Sequence, residues 1–447
     1  MMLMILMLIP VLGALAVCFT PNASVKWVAL GTTLFAFILN LFVALFFRPG
    51  EDTFGYIVNI PWVPEVGISL AVGVDWVSLL LILLTTFLMP LCVAGSFSAV
   101  TDRVREYYGW LLALEAAMIG VFLARDVVFF YICFEFTLLP MFFLIAIYGG
   151  NDRMRASIKF FLYTFTGSVL TLAGLIYVAW QYSVFSGAWT FSIPELTAFA
   201  ANELSLAQQL WVMTAMMIGF AVKVPLFPVH TWLPLAHTEA PTAGSVILAG
   251  VLLKLGTYGI YRFVLPMTPD AVIEAAPIIA VLSIIGIIYA ALICWVQDDV
   301  KKLVAYSSVS HLGFCVLGLF ALNPLGVQGS VLYMINHGLS TGALFLCIGM
   351  IYERYHTRDM NRMSGLAKKM PIWAFFFVFF TLSSVGLPGL NGFVSELLCL
   401  VGAFVATPDN PTHPGVLGPW YALFAGTGMI LAAMYLLIML GKVVFGP

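Results

Sequence analysis

Apolar residues in this chain come in long unbroken runs and not in the short alternating stretches of a half-buried sheet. A bilayer core needs about 20 apolar residues at a helical rise of about 1.5 Å. Runs of that kind fall at 2–19, 25–47, 75–97, 108–124, 126–148, 157–181, 206–233, 240–265, 271–296, 300–321, 327–352, 373–403 and 418–441. They predict thirteen membrane-spanning helices; a barrel strand would alternate with a period of two. The first run has no basic stretch before it and no small-residue cleavage site, so it reads as a span and not a removable signal. Residues 48–74 interrupt the pattern. Pro61 and Pro64 stand there among alternating apolar residues, which suggests an extended or hairpin segment lying on the membrane surface.

Two runs carry their own interruptions. The seventh contains Gly219, Lys223, Pro225, Pro228 and His230, and the twelfth contains Ser383, Ser384, Gly386, Pro388, Gly389, Asn391 and Gly392. Proline removes a helix donor and clashes with the preceding turn, so both helices should unwind within the membrane. Unwound backbone at that depth persists only inside protein or beside water. Two broken helices five spans apart suggest paired five-helix repeats of inverted topology. The expected fold is therefore an all-α polytopic membrane protein with about 13–14 transmembrane helices, discontinuous at helices 7 and 12. Residues 1–107 would hold helices 1–3 and the surface segment, 108–265 the first repeat, and 266–447 the second.

Composition agrees with this reading and narrows the function classes. Of the 447 residues, 62% are apolar and 9% are Asp, Glu, Lys or Arg, where a soluble domain carries about 25%; mean hydropathy is +1.05. So few charges cannot coat a water-facing surface, which excludes a soluble enzyme, a disordered chain and a nucleic-acid binder. Cys18, Cys92, Cys133, Cys294, Cys315, Cys347 and Cys399 stand singly in apolar runs, without CxxC or CxxCH. They read as buried structural thiols, not as ligands of iron–sulfur clusters, c-type haem or zinc, and no metal site is expected. Lys and Arg fall unevenly: thirteen follow odd-numbered spans and three follow even-numbered ones. That positive-inside bias puts the odd loops on the cytoplasmic side, or its matrix or stromal equivalent, with the N-terminus opposite.

The remaining three basic residues, Lys159, Lys223 and Lys254, lie inside predicted spans, as do Glu115, Glu135, Glu396, His311 and His337. Each ionisable group at membrane depth costs several kcal/mol on most estimates and is kept only with partners or water. Eight are too many for a passive bundle, and they are spread from the fourth span to the twelfth. Such a row suits charge or proton movement across the membrane. Other readings stay open for some. His311 and His337 also fit satisfied core histidines or axial ligands of a b-type haem. Lys159 follows Arg153 and Arg155 and fits a side chain snorkelling to the surface. His230, His237 and Glu239 flank the break in the seventh span and read as loop-structuring, Asp75 as an interfacial cap, and His356 and His413 as solvated.

The motifs around these residues are familiar. Glu135 stands in Phe129-Phe-Tyr-Ile-Cys-Phe-Glu-Phe-Thr-Leu-Leu-Pro140. Lys223 opens Lys-Val-Pro-Leu-Phe-Pro-Val-His-Thr-Trp-Leu-Pro234-Leu-Ala-His-Thr-Glu-Ala-Pro241, and Lys254 follows in Gly250-Val-Leu-Leu-Lys-Leu-Gly256. Ala305-Tyr-Ser-Ser-Val-Ser-His311 and Asn336-His337-Gly complete the set. From about residue 75 onward the chain resembles the antiporter-like membrane subunits of respiratory complex I and of Mrp-type cation/proton antiporters. Within that group, glutamate in place of lysine after the second break, here Glu396, resembles the M-type branch, the mitochondrial chain 4 type. Members usually carry fourteen spans; this sequence ends after the thirteenth, so either it stops short or its branch lacks the last helix.

The resemblance implies a proton-translocating membrane-arm subunit of NADH:quinone oxidoreductase, whose own chemistry is proton transfer. A Glu135–Lys223 ion pair would lie between the fifth and seventh spans. At 4 Å and an effective dielectric of about 20 such a pair is coupled by roughly 4 kcal/mol. From Lys223 a proton would pass by water to Lys254, then to His311 and His337, and leave by Glu396. Hydroxyls of Ser307, Ser308, Ser310 and Thr341 would order the water between them, and Glu115 and Lys159 would join an uptake network. The resemblance implies no cofactor in this chain, with FMN, iron–sulfur clusters and quinone in partner subunits. It implies neighbouring antiporter-like subunits and the bilayer as partners. It also implies an integral place in a bacterial inner membrane, a mitochondrial inner or thylakoid membrane being the other settings. The rival readings are an Mrp-type Na⁺/H⁺ antiporter subunit, which Glu396 argues against, a hydrogenase- or ferredoxin-linked membrane arm, and a structural scaffold.

Overall fold

The computed structural model describes residues 1–447 except 49–53, 414 and 447. Each of the thirteen apolar runs is helical over most of its length. Among the described residues, eleven helices are long and apolar enough to cross a membrane. The helix of the seventh run stops early, at Leu206–Lys223, with a short helix Leu233–Glu239 beginning at the run's end, and the twelfth run divides into Pro371–Val385 and Asn391–Val405. The polar gap after the second helix is a two-stranded antiparallel hairpin, β1 (Gly55–Val63) and β2 (Ile68–Val74), turning through Gly67. Residues 49–53 of that segment lie outside the described residues. The helices Ile193–Glu203 and Leu366–Lys369 have no counterpart among the predicted spans.

The chain forms two compact units: Met1–Phe220 with Tyr258–Ala271, and Ala221–Thr257 with Val272–Pro447. In the first unit, Met2–Phe19 and Trp76–Ala94 pack on Val104–Leu123, and Leu138–Tyr148 packs on Arg153–Ser186. Loops that follow even-numbered spans meet there. Arg125 N–H donates to Ala71 O at 2.8 Å, and Val127 N–H to Phe191 O at 2.8 Å. Asp126 caps Val127–Phe136 by accepting from Val128 N at 2.8 Å, and reaches Ser69 N at 3.0 Å. Asp75 caps Trp76–Ala94, as its place in the sequence suggests, and also pairs with Arg262 at 2.6 Å.

In the second unit the centre is Pro324–Tyr355, packed on Val300–Phe320 and Asn391–Val405. Val300–Phe320 is buried almost along its whole length, so its small residues Ala305, Ser307, Ser308, Ser310 and Gly313 all face protein. Here the loops after odd-numbered spans meet. Arg358 pairs with Asp299 at 3.7 Å and Lys442 with Asp298 at 3.6 Å. Six of the seven cysteines are buried, and Cys18 faces outward. His356 is exposed, as expected, whereas His413 is half-buried.

Candidate functional site

The break in the seventh run starts at Lys223, a buried lysine at the C-terminal end of Leu206–Lys223. Leu226 N–H still reaches back to Ala221 O at 2.8 Å, and the Trp232 indole N–H donates to Val222 O at 2.9 Å. The indole thus satisfies a carbonyl that the broken helix leaves over. Beyond the break, Leu233–Glu239 is a short helix and not a loop, so His237 has a different setting from the one its position suggested. Its ring is fully buried and stacks on Phe345 at 4.8 Å. The end of this short helix is held by two cations. Lys301 Nζ donates to Ala240 O at 2.6 Å and to Thr238 O at 3.4 Å, and Arg358 also donates to Thr238 O.

Lys254 lies on a helix whose register changes just before it. Thr242–Ile247 is α-helical, Leu248–Leu252 makes a π-turn, and Leu253–Gly259 is α-helical again. π-turns inside helices are frequent at functional sites. This one leaves the Ala249 carbonyl to the lysine: Lys254 Nζ donates to Ala249 O at 2.5 Å. The same ammonium stands 2.6 Å from His337 Nδ1. Lys254 is fully buried, and its described contacts are a carbonyl and an imidazole.

The break in the twelfth run places Glu396. Pro371–Val385 ends at Gly386, in the left-handed region at φ 77°, and Asn391–Val405 restarts after Gly389 at φ 96°. A methyl group on Gly386 would stand 2.6 Å from Glu396 Oε2, so glycine is needed there for space as well as conformation. Ser383 Oγ donates to Asn391 Oδ1, and Asn336 Nδ2 donates to Asn391 O at 2.6 Å, which ties both sides of the break to Pro324–Tyr355. Glu396 is buried and accepts a hydrogen bond from the Tyr333 hydroxyl. That hydroxyl is 2.6 Å from His311 Nδ1. His311 and His337 are neighbours, with ring centroids 5.8 Å apart. A small cavity lies against both rings, lined also by Tyr333, Asn336, Ser340 and Thr341.

Lys254, His337, His311 and Glu396 therefore come together in the second unit, with Tyr333 between the last two. Glu135 belongs to the first unit, half-buried at the end of Val127–Phe136, and Lys223 to the second. Glu115 is buried in Val104–Leu123 with neither carboxyl oxygen hydrogen-bonded among the described residues. Lys159 is half-buried and lies over the Tyr163 ring at 5.7 Å. Of the four hydroxyls expected to order water, Thr341 lines the cavity. Ser307 and Ser308 donate to Val304 O, at 2.8 and 3.3 Å, and Ser310 donates to Ile287 O at 2.9 Å. Tyr333 and Lys301 escaped the sequence reading. A tyrosine in an apolar run carries no cost that draws attention, and Lys301 counted as a loop charge at a span's edge.

Residues 124–413 match the family described as NADH:quinone oxidoreductase/Mrp antiporter, TM. The chain is 44% identical to the NADH-quinone oxidoreductase subunit M of Rhodobacter capsulatus over 435 residues, covering 95% of this chain and 81% of that one. It is 41% identical to the NADH-ubiquinone oxidoreductase chain 4 of Marchantia polymorpha, covering 99% and 86%. Among solved structures, a chain of respiratory complex I from Thermus thermophilus with bound NADH matches with a TM-score of 0.87 at 32% identity. That match covers all of this chain and 89% of the other.

Proposed function

Because the chain belongs to the NADH:quinone oxidoreductase/Mrp antiporter family of membrane subunits, we propose that it is the M-type, proton-translocating subunit in the membrane arm of a complex I. Electron transfer falls to partner subunits that hold FMN, iron–sulfur clusters and quinone. This subunit moves protons and carries out no redox step. Neighbouring antiporter-like subunits flank it, and the helices of 108–265 and 266–447 are two inverted repeats with a broken helix in each.

The observation that carries this reading is the buried line Lys254, His337, His311, Tyr333, Glu396, a cation at one end and a carboxyl at the other. An ammonium without a described carboxylate partner at that depth is expensive to hold for structure alone. Lysine suits the task because burial lets it give up its proton, which arginine does not do. Histidine donates and accepts near neutral pH. Glu135 and Lys223 are further groups of the relay, and Lys223 passes its proton toward Lys254. Glu115 and Lys159 belong to the uptake side.

In complexes assembled with this chain, Glu135→Ala and Lys223→Ala should slow NADH-driven proton translocation roughly tenfold or more through this subunit, while native gels show normal assembly. Full translocation by either variant overturns its place in the relay. Sodium-dependent transport in vesicles without NADH would favour the antiporter reading instead.

A further inference from the structure

We infer that the hydrogen bonds between Lys254 and Glu396 are all polarised in one direction, with the Tyr333 hydroxyl and one water site as links in the wire. The inference rests on the relay reading above and names the groups through which that relay passes.

Donor and acceptor roles follow from the partners. Lys254 is a donor only, so His337 Nδ1, 2.6 Å from it, accepts. A neutral His337 then carries its proton on Nε2. At the other end, the Tyr333 hydroxyl donates to Glu396. It has a single proton, so toward His311 it can only accept, and His311 Nδ1 carries the proton of the 2.6 Å contact. A neutral His311 therefore has its free lone pair on Nε2. Both Nε2 atoms are buried and have no hydrogen-bond partner among the described residues. One is a donor and the other an acceptor, and both rings line the same cavity with Ser340 and Thr341. That cavity is of water-molecule size, and a water there accepts from His337 and donates to His311. His311 Nδ1 is 3.6 Å from Glu396 Oε1, too far for a direct hydrogen bond, so the tyrosine hydroxyl is the link.

One transfer balances as follows. Lys254 gives a proton to His337 Nδ1 and becomes a neutral amine. The Nε2 proton of His337 goes to the water, and a water proton goes to His311 Nε2. The Nδ1 proton of His311 goes to Tyr333, and the Tyr333 proton goes to Glu396, which becomes a neutral carboxylic acid. Every N–H or O–H bond broken is matched by one formed, no electron moves, and the wire must turn its dipoles back before it conducts again.

The test uses the assembled complex with Tyr333→Phe, which keeps the ring and removes the hydroxyl, beside Lys254→Ala. Proton translocation per NADH oxidised is measured in H2O and D2O. Loss of most of the translocation that Lys254→Ala loses, with a larger solvent isotope effect, supports the wire. Retained translocation in Tyr333→Phe while Lys254→Ala is impaired overturns the wire and leaves the relay standing. So does a loss with an unchanged isotope effect, which marks a structural role. Retention by both variants overturns the relay and the wire together. Ser340→Val narrows the cavity with Tyr333 intact and carries the test if the phenylalanine variant fails to assemble: lost translocation supports the water link, and full translocation overturns it.

Discussion

At the scale of single residues, the two ends of the buried line meet uncharged partners. Lys254 meets a carbonyl and an imidazole, and Glu396 a phenol. Hydrogen bonds to neutral partners hold a buried charge without the deep well of an ion pair, which suits groups that must exchange protons. The glycine beside Glu396 belongs to the same device. Gly386→Ala should cost about 1–2 kcal/mol for the left-handed backbone alone. It should also push the Glu396 carboxyl off Tyr333, since the added methyl would stand only 2.6 Å from Oε2. Thermal melting of the complex and translocation per NADH should both fall, the second more than quinone reduction. The ionisable residues themselves were legible in the sequence, because a charge in an apolar run is conspicuous. Their partners were not: neither Tyr333 nor the Ala249 carbonyl differs in composition from the residues around it.

At the scale of elements, both breaks fall where proline and glycine predict them, and each break is mended by side chains. Trp232 and Lys301 serve the seventh helix, and Asn336 and Ser383 the twelfth. Lys301→Met retains the stem and removes the donor to Ala240 O, while Thr238 O keeps Arg358. A buried carbonyl left alone costs about 1–3 kcal/mol. The variant should lower the melting temperature of the complex, and hydrogen exchange should rise first in Leu233–Glu239. Short elements were hidden from the sequence reading, and two show why. Ile193–Glu203 buries Ile193, Leu196, Phe199 and Ala200 on one face; at 11 residues it is too short to register as a span. The π-turn before Lys254 leaves the apolar run unbroken in sequence, because one extra residue per turn depends on what the freed carbonyl can find.

At the scale of the molecule, the loops sort as the basic residues do. Within the first unit the loops after the second, fourth and sixth spans join at the hairpin, and within the second unit those after the ninth and eleventh join around Asp298, Asp299 and Arg358. Alternation of this kind is what a chain crossing a bilayer at every run must show. Single cysteines placed by Lys368→Cys and Glu65→Cys, both at exposed positions, should react with a membrane-impermeant thiol reagent from opposite faces: Lys368→Cys from the cytoplasmic face, Glu65→Cys from the other. Labelling of both from one side would overturn the topology.

The native thiols make that experiment cleaner than composition suggests. Since Cys18 is the one cysteine of seven that faces outward, the wild-type chain already carries a single-site handle near the end of Met2–Phe19. A lipid-soluble maleimide dye should load it once per chain, without mutagenesis. Quenching or protection of that dye as other subunits are added then reads out, in real time, whether a neighbour docks against the first helix.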